Sequence, residues 1–162
     1  MQAIKIANFV IILSKPLFML QIYSRLTIPI TIIVPLLLTS CQNSQHPIPN
    51  VPVNVIINLD LPNYQQLNAP GGHAYVNGGS RGIVVYRNFN EFVALDRHST
   101  YNHTDDCAIV FVDTLNPFQL LDTCSGSRYN IMNGIVEEGP AQYGLVRYNS
   151  NWDGASTVTI YN

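Results

Sequence analysis

Charge is what this chain has least of. Only 11% of its 162 residues are Asp, Glu, Lys or Arg, against about 25% in an average soluble domain. The formal net charge is −2 and the pI is near 6.0. No Lys/Arg run occurs, so the sequence lacks the electrostatic footprint of a nucleic-acid binder. Cysteine is scarce too, at three residues, which is too few for a disulfide-dense scaffold. No Gly-x-Ser-x-Gly elbow and no phosphate-binding Gly loop is present. Glu137 and Glu138 are adjacent, and neighbouring strand residues point to opposite faces, so they do not form an acid–base pair. No catalytic machinery is legible, and no enzyme activity is assigned.

The shortage of charge is concentrated at the N-terminus. Residues 1–40 carry only Lys5, Lys15 and Arg25, and no acid. Ile28 to Leu38 is an apolar stretch broken by Thr and Pro, and it ends in Leu38-Thr39-Ser40-Cys41. A basic start, an apolar segment and small residues before a cleavage point make a signal peptide. A membrane-spanning helix would need roughly 20 apolar residues, and Pro29 and Pro35 interrupt this stretch. Leu38-Thr39-Ser40-Cys41 resembles a bacterial lipobox. That resemblance implies cleavage before Cys41 and palmitate-type acyl chains on it, each buried methylene contributing about 0.8 kcal/mol of membrane affinity. The expected location is the cell envelope, on a membrane's periplasmic face or the cell surface. The leader has two apolar segments around Lys15-Pro16, and translation from Met19 would give one of ordinary length; both starts stay open.

Residues 41–50 are polar with two prolines and are expected to be a tether from the lipidated cysteine. Residues 51–162 carry the domain. Their apolar residues do not recur at helical spacing. Short Val-, Ile- and Tyr-rich runs alternate with Gly, Asn, Asp and Pro clusters. The pattern predicts strands over 53–59, 73–76, 82–86, 91–96, 107–112, 118–121, 128–131, 135–137, 145–148 and 157–161. The unbroken apolar run at 107–112 is expected to be a buried strand. The last hairpin is expected to turn across Trp152-Asp153-Gly154. The fold class is all-β, a sandwich or barrel of stacked antiparallel sheets.

The richest stretch is Asp122-Thr123-Cys124-Ser125-Gly126-Ser127-Arg128-Tyr129, followed by Asn133-Gly134 and Gly139-Pro140-Ala141. It resembles the second half of a Rieske motif, in which Cys-x-x-His-Gly-Ser is followed by an aromatic, a Gly turn and Gly-Pro-Ala. Upstream, Leu95-Asp96-Arg97-His98-Ser99-Thr100-Tyr101 resembles the strand end and first ligand loop, Cys-x-His. The resemblance runs from about Val55 to Ile160. It places the cluster-ligand positions on Ser99, Tyr101, Asp122 and Ser125, none of which is Cys or His. A Rieske [2Fe–2S] cluster takes two thiolates and two imidazoles. No cofactor is therefore expected; the alternative is a redox protein that holds a [2Fe–2S] cluster or another metal by unusual ligands. The resemblance also implies a disulfide between the two ligand loops, with Cys124 in the family's position just before the second ligand His and Cys107 as its partner. Tyr101 is expected to pack as a lid over the vacated pocket. His98 and His103, with Asp105, Asp106 and Asp122, are weak candidates for a mononuclear metal site, and His73 reads as structural. The implied role is a binding or structural module of the envelope, with a partner protein or ligand that the sequence does not name.

Overall fold

Side chains alternate across a strand, so a strand with every residue apolar must be covered on both faces. Ile83-Val84-Val85-Tyr86 and Phe92-Val93-Ala94-Leu95 are two such runs, and they build the middle of the molecule. The computed structural model describes residues 45–162. The leader, the lipobox and Cys41 lie outside the described residues.

Every pairing among the strands is antiparallel. The larger sheet has six strands in the order β1-β10-β9-β4-β3-β2. They are β1 (Asn54–Asn58), β2 (His73–Val76), β3 (Ile83–Asn88), β4 (Glu91–Asp96), β9 (Arg147–Trp152) and β10 (Thr157–Tyr161). The smaller sheet has four, in the order β5 (Val110–Val112), β6 (Gln119–Asp122), β7 (Arg128–Asn130) and β8 (Val136–Glu138). On one face of β3 and β4, Ile83, Val85, Phe92 and Ala94 join Ile57, Leu67, Val158 and Ile160 in a first core. On the other, Val84, Tyr86, Val93 and Leu95 join Val110, Leu120, Tyr129 and Ile131 in a second. The β3–β4 hairpin is thus a wall shared by two cores. Its register, Ile83 opposite Asp96 through Asn88 opposite Glu91, keeps both faces aligned.

Several sequence expectations shift. The run 107–112 yields only the short β5; Cys107 lies in a turn and Phe111 is 45% exposed. Backbone bonds from Ala108 N to Asp105 O and from Ile109 N to Cys107 O close that turn and take the first residues out of the ladder. The final hairpin turns later than expected, because the polar stretch Asn149-Ser150-Asn151-Trp152 continues β9. Asp153 Oδ1 accepts the Ala155 and Thr157 N–H groups and shapes the turn beyond it. Pro62–Asn68 forms a 3-10 helix that no periodicity announces, and it buries Leu67 completely. The stretch from Gln45 to Asn50, read as tether, is laid on the domain instead. Ile48 is 4% exposed, and His46 Nε2 lies 2.9 Å from Gly144 O.

Candidate functional site

Three loops converge beyond the ends of the smaller sheet. The first follows β4 and contains His98, Ser99, Thr100 and Tyr101. The second, between β6 and β7, contains Cys124 to Ser127. The third follows β8 and contains Gly139-Pro140-Ala141. Gly139 has φ +98°, and a Cβ there would stand 2.6 Å from Ser127 Cα, so only glycine lets the third loop lie against the second. Ser127 Oγ then accepts the Ala141 N–H at 3.2 Å. The Gly-Ser and Gly-Pro-Ala signatures are one packed unit.

Asp122, at the end of β6 and wholly buried, is the hub of the site. Its Oδ2 accepts the Ser99 hydroxyl at 2.6 Å and the Ser125 hydroxyl at 2.7 Å. Its Oδ1 accepts the Cys124 N–H at 2.9 Å and the Ser125 N–H at 3.4 Å. Ser99 Oγ is also 3.0 Å from the hydroxyl of the fully buried Tyr129. That hydroxyl accepts the Thr100 N–H at 3.3 Å. Thr100 Oγ1 in turn donates to Tyr143 O at 2.6 Å. A buried carboxylate is tolerated when its lone pairs are satisfied in this way. Cys107 and Cys124 are joined in a disulfide, with Cα atoms 6.0 Å apart, that ties the first loop to the second.

A second buried carboxylate, Asp96, fixes the root of the first loop. It accepts the Ser80, Arg81 and His98 N–H groups and, at 2.7 Å, the Tyr148 hydroxyl. Burial, reinforced by Asp96, pushes the Tyr148 hydroxyl well above its ordinary range, so it stays a donor. His98 is buried, with Nδ1 2.8 Å from Ser80 Oγ and Nε2 2.6 Å from His103 O. Desolvation lowers its pKa below the ordinary histidine value.

Of the residues singled out in the sequence, Ser99, Asp122 and Ser125 meet directly. Tyr101, 36% exposed, lines a pocket of about 80 Å³ together with Asp122, Cys124 and Ser125. His98 and His103 are neighbours, but through His98 Nε2 and the backbone carbonyl of His103. With both its nitrogens engaged within the fold, His98 is not poised to bind a metal. Among the described residues, no group of three or more His, Cys, Asp or Glu side chains is placed to hold an ion. His73 opens β2 with its ring edge-on to Tyr75. Sequence reasoning missed the roles of Asp96 and Thr100; Asp96 entered only as the end of a strand.

No protein-family model and no curated protein matches the chain. Solved structures do. The plasma-membrane Rieske protein PetC3 of the cyanobacterium Synechocystis PCC 6803 superposes with a TM-score of 0.51 at 19% identity, over 67% of this chain and 99% of that one. The fold is Rieske-like. The complex of reduced oxygenase and oxidised ferredoxin in carbazole 1,9a-dioxygenase gives a TM-score of 0.46 at 19% identity, over 70% of this chain and 94% of that one. The ferredoxin of carbazole 1,9a-dioxygenase from Nocardioides aromaticivorans IC177 gives 0.44 at 14%, over 68% and 97%.

A Rieske fold raises the question of a [2Fe–2S] cluster, and the donor set does not fit one. Ser99 and Ser125 are hydroxyls already bonded to Asp122, and both cysteines of the region are spent in the disulfide. Among the described residues, no buried side-chain nitrogen or oxygen is left without a partner.

Proposed function

We propose that this chain is a lipid-anchored envelope protein whose Rieske-like domain works without an iron–sulfur cluster, as a non-redox binding or structural module. The observation that carries the reading is the Asp122 hub. The carboxylate stands where the family has a thiolate, and it takes hydrogen bonds from the residues at two other ligand positions. A cluster in that family holds two loops together; here Asp122 and the Cys107–Cys124 bridge do so. Anaerobic reconstitution with iron and sulfide tests the proposal. The expected product is colourless and binds iron far below stoichiometry. Stoichiometric iron with a Rieske-type spectrum would overturn it and give the redox alternative the lead.

Support for the anchor comes from Leu38-Thr39-Ser40-Cys41 and the apolar stretch before it. Among the described residues, no helix is long and apolar enough to cross a membrane. Cys41→Ser is expected to abolish palmitate labelling and to leave the precursor uncut or the protein unanchored. An intact label and unchanged membrane association in that variant would refute the assignment.

A further inference from the structure

Large apolar side chains stand exposed along one side of the domain. Phe89 is 72% exposed, Ile135 60%, Phe118 56% and Met132 36%. They are connected. Phe89, Phe118 and Met132 line one groove of about 210 Å³. Met132 and Ile135 flank the tight turn that Gly134 N closes on Asn130 O at 2.8 Å. An exposed patch of this kind marks an interaction surface.

Phe89 is not there by default. It sits at the tip of the β3–β4 hairpin with φ +46°, a conformation that disfavours a bulky side chain. Arg87 enforces it by donating from Nε to Phe89 O at 2.6 Å. Arg87 is itself buried, its guanidinium 4.5 Å from the Phe92 ring centre and 4.2 Å from that of Trp152. The fold therefore holds a phenylalanine out into solvent in a backbone conformation that disfavours it, a pattern associated with function.

The chain's own start indicates what covers the patch. His46 bonds to Gly144 O, and a Cβ on Gly144 would lie 2.8 Å from Gly134 O and 3.7 Å from Ile135 Cα. The chain thus leaves the domain beside the Gly134–Ile135 turn. Only Gln42, Asn43 and Ser44 separate Gln45 from Cys41. Fully extended, that segment reaches at most about 14 Å. We infer that the face bearing Ile135, Met132, Phe118 and Phe89 lies on the lipid surface, its apolar side chains inserted at the headgroup boundary. The inference rests on the lipid anchor at Cys41 and adds an orientation to it. The loops around Asp122 and the disulfide are then carried at a fixed attitude to the membrane. Insertion is apolar rather than electrostatic. The eight basic residues include Lys5, Lys15 and Arg25, which leaves five arginines beyond Cys41 against all ten acids.

Quenching by brominated phosphatidylcholine in neutral vesicles tests the face, using the full lipidated chain. Phe89→Trp is compared with Ile56→Trp; Ile56 is 70% exposed on β1, at the edge of the larger sheet. The unsubstituted chain supplies the Trp152 background. Quenching is expected at position 89 and not at 56, unchanged by salt. Equal quenching at 56 and 89, or none at 89 in protein that carries palmitate, overturns the face and leaves the anchor standing. Absent palmitate with quenching at 89 overturns the anchor and supports the face.

Discussion

Around Ile57 and Ile160 the larger sheet is closed by apolar side chains, of which Ile57, Leu67, Ile83, Val85, Val158 and Ile160 are withdrawn completely from water. Past the end of β4 the smaller sheet's loops are closed by Asp122, Ser99, Ser125, Tyr129 and a disulfide. The first region is stabilised by area, at about 1.5–3 kcal/mol for each fully buried large side chain. The second depends on geometry, because each buried polar group contributes only while its partner is in place. The contrast separates what a Rieske-like fold needs from what a cluster needs. Gly139 against Ser127 is a backbone contact that works with or without iron. In the second region Asp122 and the hydroxyls of Ser99 and Ser125 satisfy one another.

Breaking the disulfide should sharpen the contrast most. It closes a loop with a sequence separation of 17, for which chain entropy predicts about 3 kcal/mol. Cys107→Ala with Cys124→Ala should lower the free energy of unfolding by that order, read from a denaturant titration. Native-state hydrogen exchange should locate the extra opening in the loops around Ser99 and Ser125, while the amides of β1, β9 and β10 keep their relative ranking. Uniform acceleration through both sheets would show that the loops are not a separate unit. Two reactive thiols in the native, unreduced protein would remove the premise.

Asp122→Asn should cost less, about 1–2 kcal/mol. The amide keeps the carboxylate's shape but turns one acceptor into a donor. Either the serine hydroxyls must then rotate, or the Cys124 and Ser125 N–H groups lose an acceptor. The loss should fall sharply when Ser99→Ala is already present, because the two residues share a bond; a double-mutant cycle measures that coupling. Additive losses would mean that Ser99 and Asp122 do not act together, and the hub would lose its standing.

How far the sequence reaches follows the same division. Where burial is governed by period-2 alternation, as in β1, β2 and β10, the strands fall within a residue or so of expectation. β9 escapes the pattern because a paired strand with little buried surface reads as polar loop. The 3-10 helix at Pro62–Asn68 is too short to carry a period. In the loops, the resemblance gave positions but not relations. Ser99 and Asp122 lie 23 residues apart, and nothing local says that one donates to the other. Asp96 is hidden in the same way, since its partners come from Ser80 to His98 and from Tyr148, in separate parts of the chain.

The smallest effect expected is a pH dependence carried by His98. Nε2 lies 2.6 Å from the His103 carbonyl and so carries the proton, which leaves Nδ1 to accept from Ser80 Oγ at 2.8 Å. Charging the ring would add a proton on Nδ1, force the Ser80 hydroxyl to turn round, and place a cation in a desolvated site. Desolvation is the main cause of the lowered pKa, with the nearby Arg81 charge acting in the same direction. The unfolded chain, whose histidine titrates near 6.5, therefore takes up the proton first. Stability from this group is complete above that pH and declines as pH falls from 6.5 towards the folded value. His73, also lowered by burial, adds a contribution of the same sign. The carboxylates with depressed pKa values, Asp113, Glu137 and Asp153, titrate at lower pH and stay outside this window. The urea midpoint should fall between pH 7 and pH 5.5, and His98→Gln should reduce that slope without abolishing it. A midpoint that stays flat, or an unchanged slope in the variant, would mean that the ring's protonation is not coupled to folding as the Ser80 and His103 contacts require.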